Sequence, residues 1–366
     1  PEPNAIHSNR ERQPTVERRC SATPPISPLR VAKAGKDECS VRIRVGFDLV
    51  YDCPLPTPMI LTLSVHYSRI SDLQRPDHLV TNPPLPVTAY RDGFGNWCSR
   101  LVAPAGETRF RAEAIVRDPG IADAVDLSAV QHMVQNLPDE TLVFLLGSRY
   151  CDTDQLTEAA WELFGPAPLG WARVQAICDF VHRHVSFGYE HARPTRTAWE
   201  TFNERRGVCR DFAHLAIALC RCVNIPARYC TGYLGDIGVP PEPEPMDFSG
   251  WFEVYLSGQW YTFDARHNIP RIGRIRLSCG QDAVDGAFST IFGGANGMMG
   301  PHGQDLELDN MLKLIAWIRH IQKDDVADAE WLNDEQKKNF KPFDIKAWEA
   351  TGKAAAEKAQ CKISGN

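Results

Sequence analysis

The chain has 366 residues, of which 43% are hydrophobic and 23% charged, with a formal net charge of −6. That length holds two domains with substantial cores, the composition is that of a globular protein, and the negative charge argues against nucleic acid as the main partner. No apolar run approaches the roughly 20 residues of a membrane-spanning helix, and the opening PEPNAIHSNRERQPTVERRC lacks a signal-peptide core. The expectation is therefore a cytoplasmic protein with no membrane partner. The first residue is Pro rather than Met, which leaves a longer precursor open.

Residues 1–40, rich in Pro, Arg, Ser and Glu, predict a disordered arm. From Val41 the texture changes. VRIRVGFDLVYDC and TRFRAEAIVRD alternate apolar and polar residues, and MILTLSVHY is β-rich, so 41–118 read as an antiparallel β-domain. A connector, 119–156, follows, with Asp139 and Glu140 suited to a helix start or an extended segment. In WARVQAICDFVHRHVSF, Val174, Ile177, Cys178 and Val181 recur at helical spacing, and a second helix, VCRDFAHLAIALCRCVN, stops at Pro226. Three strands come next, ARYCTGYLG, SGWFEVYLSG and QWYTFDAR, with the proline-rich VPPEPEPMD between the first two. The core at 157–292 thus predicts an α+β fold, a helix packed on an antiparallel sheet. Residues 293–366 are expected to form a helical tail, opened by the glycine-rich GGANGMMGPHGQD.

The twelve cysteines include no CxxC pair, so no zinc ribbon is expected and the thiols read as reduced. Cys220 and Cys222, on an apolar helix, read as buried. Cys209 differs, because it stands at a helix start just after Gly207. There the N–H groups and the positive end of the helix dipole favour a thiolate, and the same donors suit an oxyanion. Arg205, Arg206 and Arg210 point the same way; the alternative is a small side chain filling the helix start.

If YLSGQW turns at Ser257–Gly258, Tyr255 faces Trp260 and Trp251 faces Asp264. Alternation then puts Ser249, Trp251 and Asp264 on one face, with Ser249 and Asp264 diagonal neighbours roughly 7–8 Å apart. A thiolate, an imidazole and an orienting carboxylate would make a catalytic unit there. Cys209 and Asp264 suit two of the roles, but serine cannot act as a base near neutral pH. Without a base the rate falls by about 10²–10⁴. Among the histidines, His214 is expected to point into packing, His267 has strand parity opposite to Asp264 and faces away unless the strand has ended, and His182, His184 and His191 precede the thiol. Asp247 either contacts substrate or solubilises its loop. Trp251 and Trp260 either line an acyl groove or pack in the core.

GVCRDFAHL, ARYCTGYLG, SGWFEVYL and WYTFDARHN together resemble the transglutaminase-like superfamily, in its bacterial cysteine peptidase form with an N-terminal β-domain, over about 41–292. The resemblance implies a papain-like core and a Cys-His-Asp triad that transfers acyl groups of protein or peptide substrates through a thioester. Cys209 and Asp264 match the nucleophile and the orienting acid, while the histidine position of the family's His-Ala-Trp block falls on Ser249. Residues 293–361 are similar to the C-terminal part of a class I c-type cytochrome, in which Met298 or Met299 would be the axial ligand. The chain has no CxxCH, so no haem, other cofactor or metal is expected. The leading reading is an acyl-transfer enzyme impaired by Ser249. The alternatives are a peptide-binding module on the same fold and, more remotely, a haem electron carrier.

Overall fold

The computed structural model describes residues 41–240 and 248–292. The expected arm, Asp247 with its loop, and the tail with Met298 and Met299 lie outside the described residues.

The N-terminal part is antiparallel, as its alternating sequence predicts. β1 (Val41–Cys53) pairs along its whole length with β7 (Gly106–Asp118), in a register from Val41↔Asp118 to Cys53↔Gly106. Val45, Phe47, Leu49, Tyr51 and Cys53 point inward, because side chains alternate along a strand. β3 (Leu73–Arg75) and β4 (Val80–Asn82) pair with β7. A second sheet, ordered β14-β2-β6-β5, contains β2 (Thr57–Leu61), β5 (Thr88–Arg91), β6 (Trp97–Ala103) and, from the end of the described chain, β14 (Ser289–Ile291).

The expected connector carries a short helix, α1 (Asp139–Leu142), with Asp139 and Glu140 in its first turn, where the helix dipole favours acids. Then come α2 (Thr153–Phe164), α3 (Trp171–His184) and α4 (Ala198–Glu204), the last preceded by Thr197 in a reciprocal capping box with Glu200. A short parallel pair, β8 (Ser186–Phe187) and β9 (Arg206–Gly207), leads into α5 (Cys209–Cys222). From Asp211 to Cys222 every residue of α5 is buried, as befits a helix enclosed on all sides. Leu215, Ile217 and Leu219 are fully enclosed; truncating Leu215 to Ala would cost about 2–5 kcal/mol.

This helix lies on the sheet β12-β11-β10-β13, made of β10 (Ala227–Tyr233), β11 (Ser249–Leu256), β12 (Gln259–Phe263) and β13 (Ile275–Gly280). Phe252, Val254 and Leu256 join the α5 side chains in one core. Ser257 and Gly258 have positive φ of 48° and 83°, the geometry of a two-residue hairpin turn, and Tyr255 pairs with Trp260 as expected. The far edge of β13 is closed unusually. Asn96 receives the Cys279 N–H on Oδ1 at 2.8 Å and gives its Nδ2 proton to the Cys279 carbonyl at 2.7 Å. β14 (Ser289–Ile291) finally pairs with β2, so the chain after the core sheet returns to the N-terminal part.

Candidate active site

The approach to Cys209 is set by three neighbours. Arg205 ends α4 in a left-handed conformation, φ 54°, and the chain straightens through β9. Asp211, in the first turn of α5, takes the Val208 N–H on its carboxylate at 3.0 Å and is clamped by Arg196 at 3.0 Å and Arg210 at 3.1 Å. A Cβ on Gly207 would lie 2.7 Å from the Asp211 carboxylate, so only glycine lets this cap form. Cys209 is thereby held half-buried at the helix start.

Its sulfur has a defined main-chain donor, because Gly250 N–H lies 3.4 Å from Cys209 Sγ. Strand geometry explains why. N–H directions alternate along a strand, and Tyr255 N–H reaches Pro226 O on the β10 side. Gly250 N–H, an odd number of residues away, therefore points to the β12 side. β12 ends at Phe263, opposite Phe252, before it can supply an acceptor, and the thiol occupies that place. A Cβ on Gly250 would meet the Tyr229 hydroxyl at 2.7 Å, so the phenol borders the same spot.

Asp264 follows the last residue of β12 and is buried. Its Oδ1 accepts the N–H groups of Arg266 at 3.0 Å and His267 at 3.1 Å. Its Oδ2 accepts His267 Nδ1 at 2.8 Å and Arg274 NH2 at 2.9 Å. Burial pushes the carboxyl up, but the charges and hydrogen bonds of His267 and Arg274 outweigh it and hold it well below the usual carboxylate range. The group is an anion, so the His267 proton sits on Nδ1.

The pairing of His267 follows from the strand having ended at Phe263, the condition under which parity no longer applies. Asn268 N–H bonds Asp264 O at 2.7 Å, closing one helical turn at the strand end. In such a turn residues three apart share a face, whereas strand parity would separate them. His182 donates from Nδ1 to the Arg266 carbonyl at 2.8 Å and fixes the turn against α3. Asn268 accepts a bond from Gln175 and gives one to Asp179.

Ser249 is buried at the start of β11, and its hydroxyl has no hydrogen-bond partner among the described residues. Alternation places it with Trp251 on the face turned away from α5. Trp251 itself is 2% exposed and packs with Cys230, Cys279 and Phe94, under the Arg274 guanidinium at 5.0 Å. It is a core residue and lines no groove. His214 points into packing as expected: it stacks on Tyr150 at 5.1 Å and accepts Ala283 N–H at 3.1 Å. His184 donates to the Phe202 carbonyl at 2.7 Å, and His191 lies 3.7 Å from Glu190. Sequence reasoning missed Gly250 N–H, Tyr229 and Arg274. The ARHN run, with Asn at a left-handed position of φ 52°, was the signal for a helical turn after Asp264.

Among the described residues no group of His, Cys, Asp and Glu could hold a metal, and no helix is long and apolar enough to cross a membrane. A buried helix that presents a cysteine to the edge of an antiparallel sheet is the architecture of a papain-like fold.

The family model described as the transglutaminase-like superfamily matches residues 162–265. A crystal structure of a candidate cysteine protease from Cytophaga hutchinsonii is similar at 30% identity with a TM-score of 0.60, covering 70% of this chain and 86% of that one. The chain belongs to the transglutaminase-like superfamily. It is also 57% identical over 77 residues to cytochrome c-L of Methylorubrum extorquens, and 32% identical over 90 residues to an uncharacterized protein of Mycobacterium leprae. It spans only 37% and 32% of the lengths of those two curated relatives. The matched family span ends at 265, before His267.

Proposed function

We propose that the chain is a cysteine acyl-transfer enzyme that opens amide bonds of peptides or glutamine side chains through a thioester on Cys209. The observation that carries this reading is the half-buried thiol at the first turn of α5, met by Gly250 N–H at 3.4 Å. Helix N–H groups and the dipole favour sulfur as thiolate. The sulfur attacks the amide carbon, the C–N bond breaks, and the amine leaves with a proton. Water or a primary amine then opens the thioester and the thiol returns. Family membership and the Cytophaga hutchinsonii protein support this reading.

Iodoacetamide below neutral pH tests it. Burial pushes the Cys98 thiol up to about 11 and Cys151 up to about 12, so these should stay unmodified while Cys209 is labelled. Equal labelling of all cysteines would sink the reading. The serine at 249 favours a second one, a peptide-binding module without turnover. In that case Cys209→Ala would keep peptide affinity, and no parental turnover would be found.

A further inference from the structure

We infer that His267 carries the catalytic imidazole, supplied from the turn after β12 in place of the histidine absent at 249. The inference rests on the acyl-transfer reading of Cys209 and deepens it.

Register locates the turn that carries the imidazole relative to the thiol. Phe252 pairs with Phe263, so a continued β12 would set residue 265 opposite Gly250. The Gly250 N–H that would have bonded there bonds Cys209 Sγ instead. The thiol thus occupies the gap left where the chain turns off through 264–268, and His267 belongs to that turn. A second set of contacts brings the two together independently. The Arg266 guanidinium stacks over Phe187 at 3.6 Å, and Phe187 pairs with Gly207, two residues before Cys209. The residue before His267 is therefore packed on β8, the strand paired with the one that delivers the nucleophile.

The ring is also prepared for the task. Asp264 is anionic and holds Nδ1 at 2.8 Å, so Nε2 is the nitrogen that exchanges a proton with sulfur. The ring is buried, with its side chain 5% exposed, and the turn is tied to α3 by His182 and by Gln175 and Asp179 through Asn268.

The cycle balances with these groups alone. The Cys209 proton passes to Nε2, the sulfur bonds the acyl carbon, and the departing amine takes the proton from Nε2 as the C–N bond breaks. Water or an amine next gives a proton to Nε2 as it attacks the thioester. The C–S bond breaks and the proton returns to sulfur.

The test compares the parent, His267→Ala, His267→Gln and Cys209→Ala in the full chain. Iodoacetamide labelling of Cys209 is followed against pH, together with hydrolysis of casein and incorporation of a fluorescent primary amine into it. The parent should label at about pH 5, as thiols paired with imidazolium do, and both His267 variants only as pH approaches the free-thiol value of about 8.5. Turnover should fall about 10²–10⁴-fold in those variants. Added imidazole should restore part of it in His267→Ala, which a merely structural role would not allow. Unchanged acid labelling in a folded His267 variant overturns the inference. If Cys209→Ala removes turnover and the His267 variants keep it, only the role of His267 fails. If Cys209→Ala keeps turnover, the acyl-transfer reading itself fails. Should His267→Ala not fold, His267→Gln preserves the volume and a hydrogen-bond donor for Asp264 and decides the question.

Discussion

Arg274 and Asp264 meet at 2.9 Å on the same carboxylate oxygen that takes the His267 ring. Arg274 also binds Asp123 at 2.8 Å, so the segment after β7 and the end of β12 share one guanidinium. All three side chains are largely buried. Removing one partner of such a pair leaves a buried charge without compensation. Arg274→Gln should lower the unfolding free energy by about 3–5 kcal/mol in urea titration. Arg274→Lys should recover only part, because an ammonium cannot reach both carboxylates in the fork geometry of a guanidinium. Full stability in Arg274→Gln would show that the two aspartates find other partners.

Ser249 offers a sharper comparison. With His267 in place, Ser249→His should give no gain in casein turnover, and the larger ring should cost stability in a site where the hydroxyl is already 3% exposed. A large gain from Ser249→His alone would mean that the parent lacks a working base.

Acid stability follows from two buried histidines. Burial and then Arg276 press His66 down to about 3, and burial presses His214 down, with Arg210 and Arg221 adding to it against Asp282. Both stay neutral in the folded chain, whereas the unfolded chain protonates them near 6.5. Below that value the unfolded state binds more protons, so stability is fully present above about pH 6.5 and drains away as pH falls toward 3. Arg276 NH2 donates to His66 Nδ1 at 3.1 Å, a bond that a protonated ring would refuse. His66→Gln should flatten the slope of unfolding free energy against pH in that window. An unchanged slope would assign the acid sensitivity to other groups.

The segment identity with cytochrome c-L leads to a simple optical measurement. With no CxxCH in the chain there is no pair of thiols to attach haem covalently and no proximal histidine beside them. Protein expressed with a haem supply should show no Soret band after denaturing purification. A retained band would establish a haem site of another kind.

Much of this arrangement was legible in the sequence because it follows from short-range rules. Helical spacing and a preceding glycine marked the start of α5 at Cys209. The Ser257–Gly258 turn gave the β11–β12 register, including Tyr255 opposite Trp260. The position of His267 was not legible by the same route. Parity separates His267 from Asp264 only if the strand continues, and the sequence does not show that it stops at Phe263, where the chain changes period to a helical turn closed by Asn268 N–H on Asp264 O. Trp251 was ambiguous for a different reason: a tryptophan beside a site lines a groove or fills a core with the same sequence signature. Only the partners across β10 and β13, Cys230 and Cys279, settle it. Arg274 could not be found at all, since its link to Asp264 is made by a loop of no marked pattern.

The amide of Asn96 behaves toward Cys279 as a missing strand would, offering one acceptor and one donor in the right spacing. A sheet rim that satisfies itself this way presents no open pair of main-chain groups to a passing extended chain. The same edge is met again at Arg276, whose carbonyl takes the His66 N–H at 2.9 Å. At these positions neighbouring copies are denied a template for stacking.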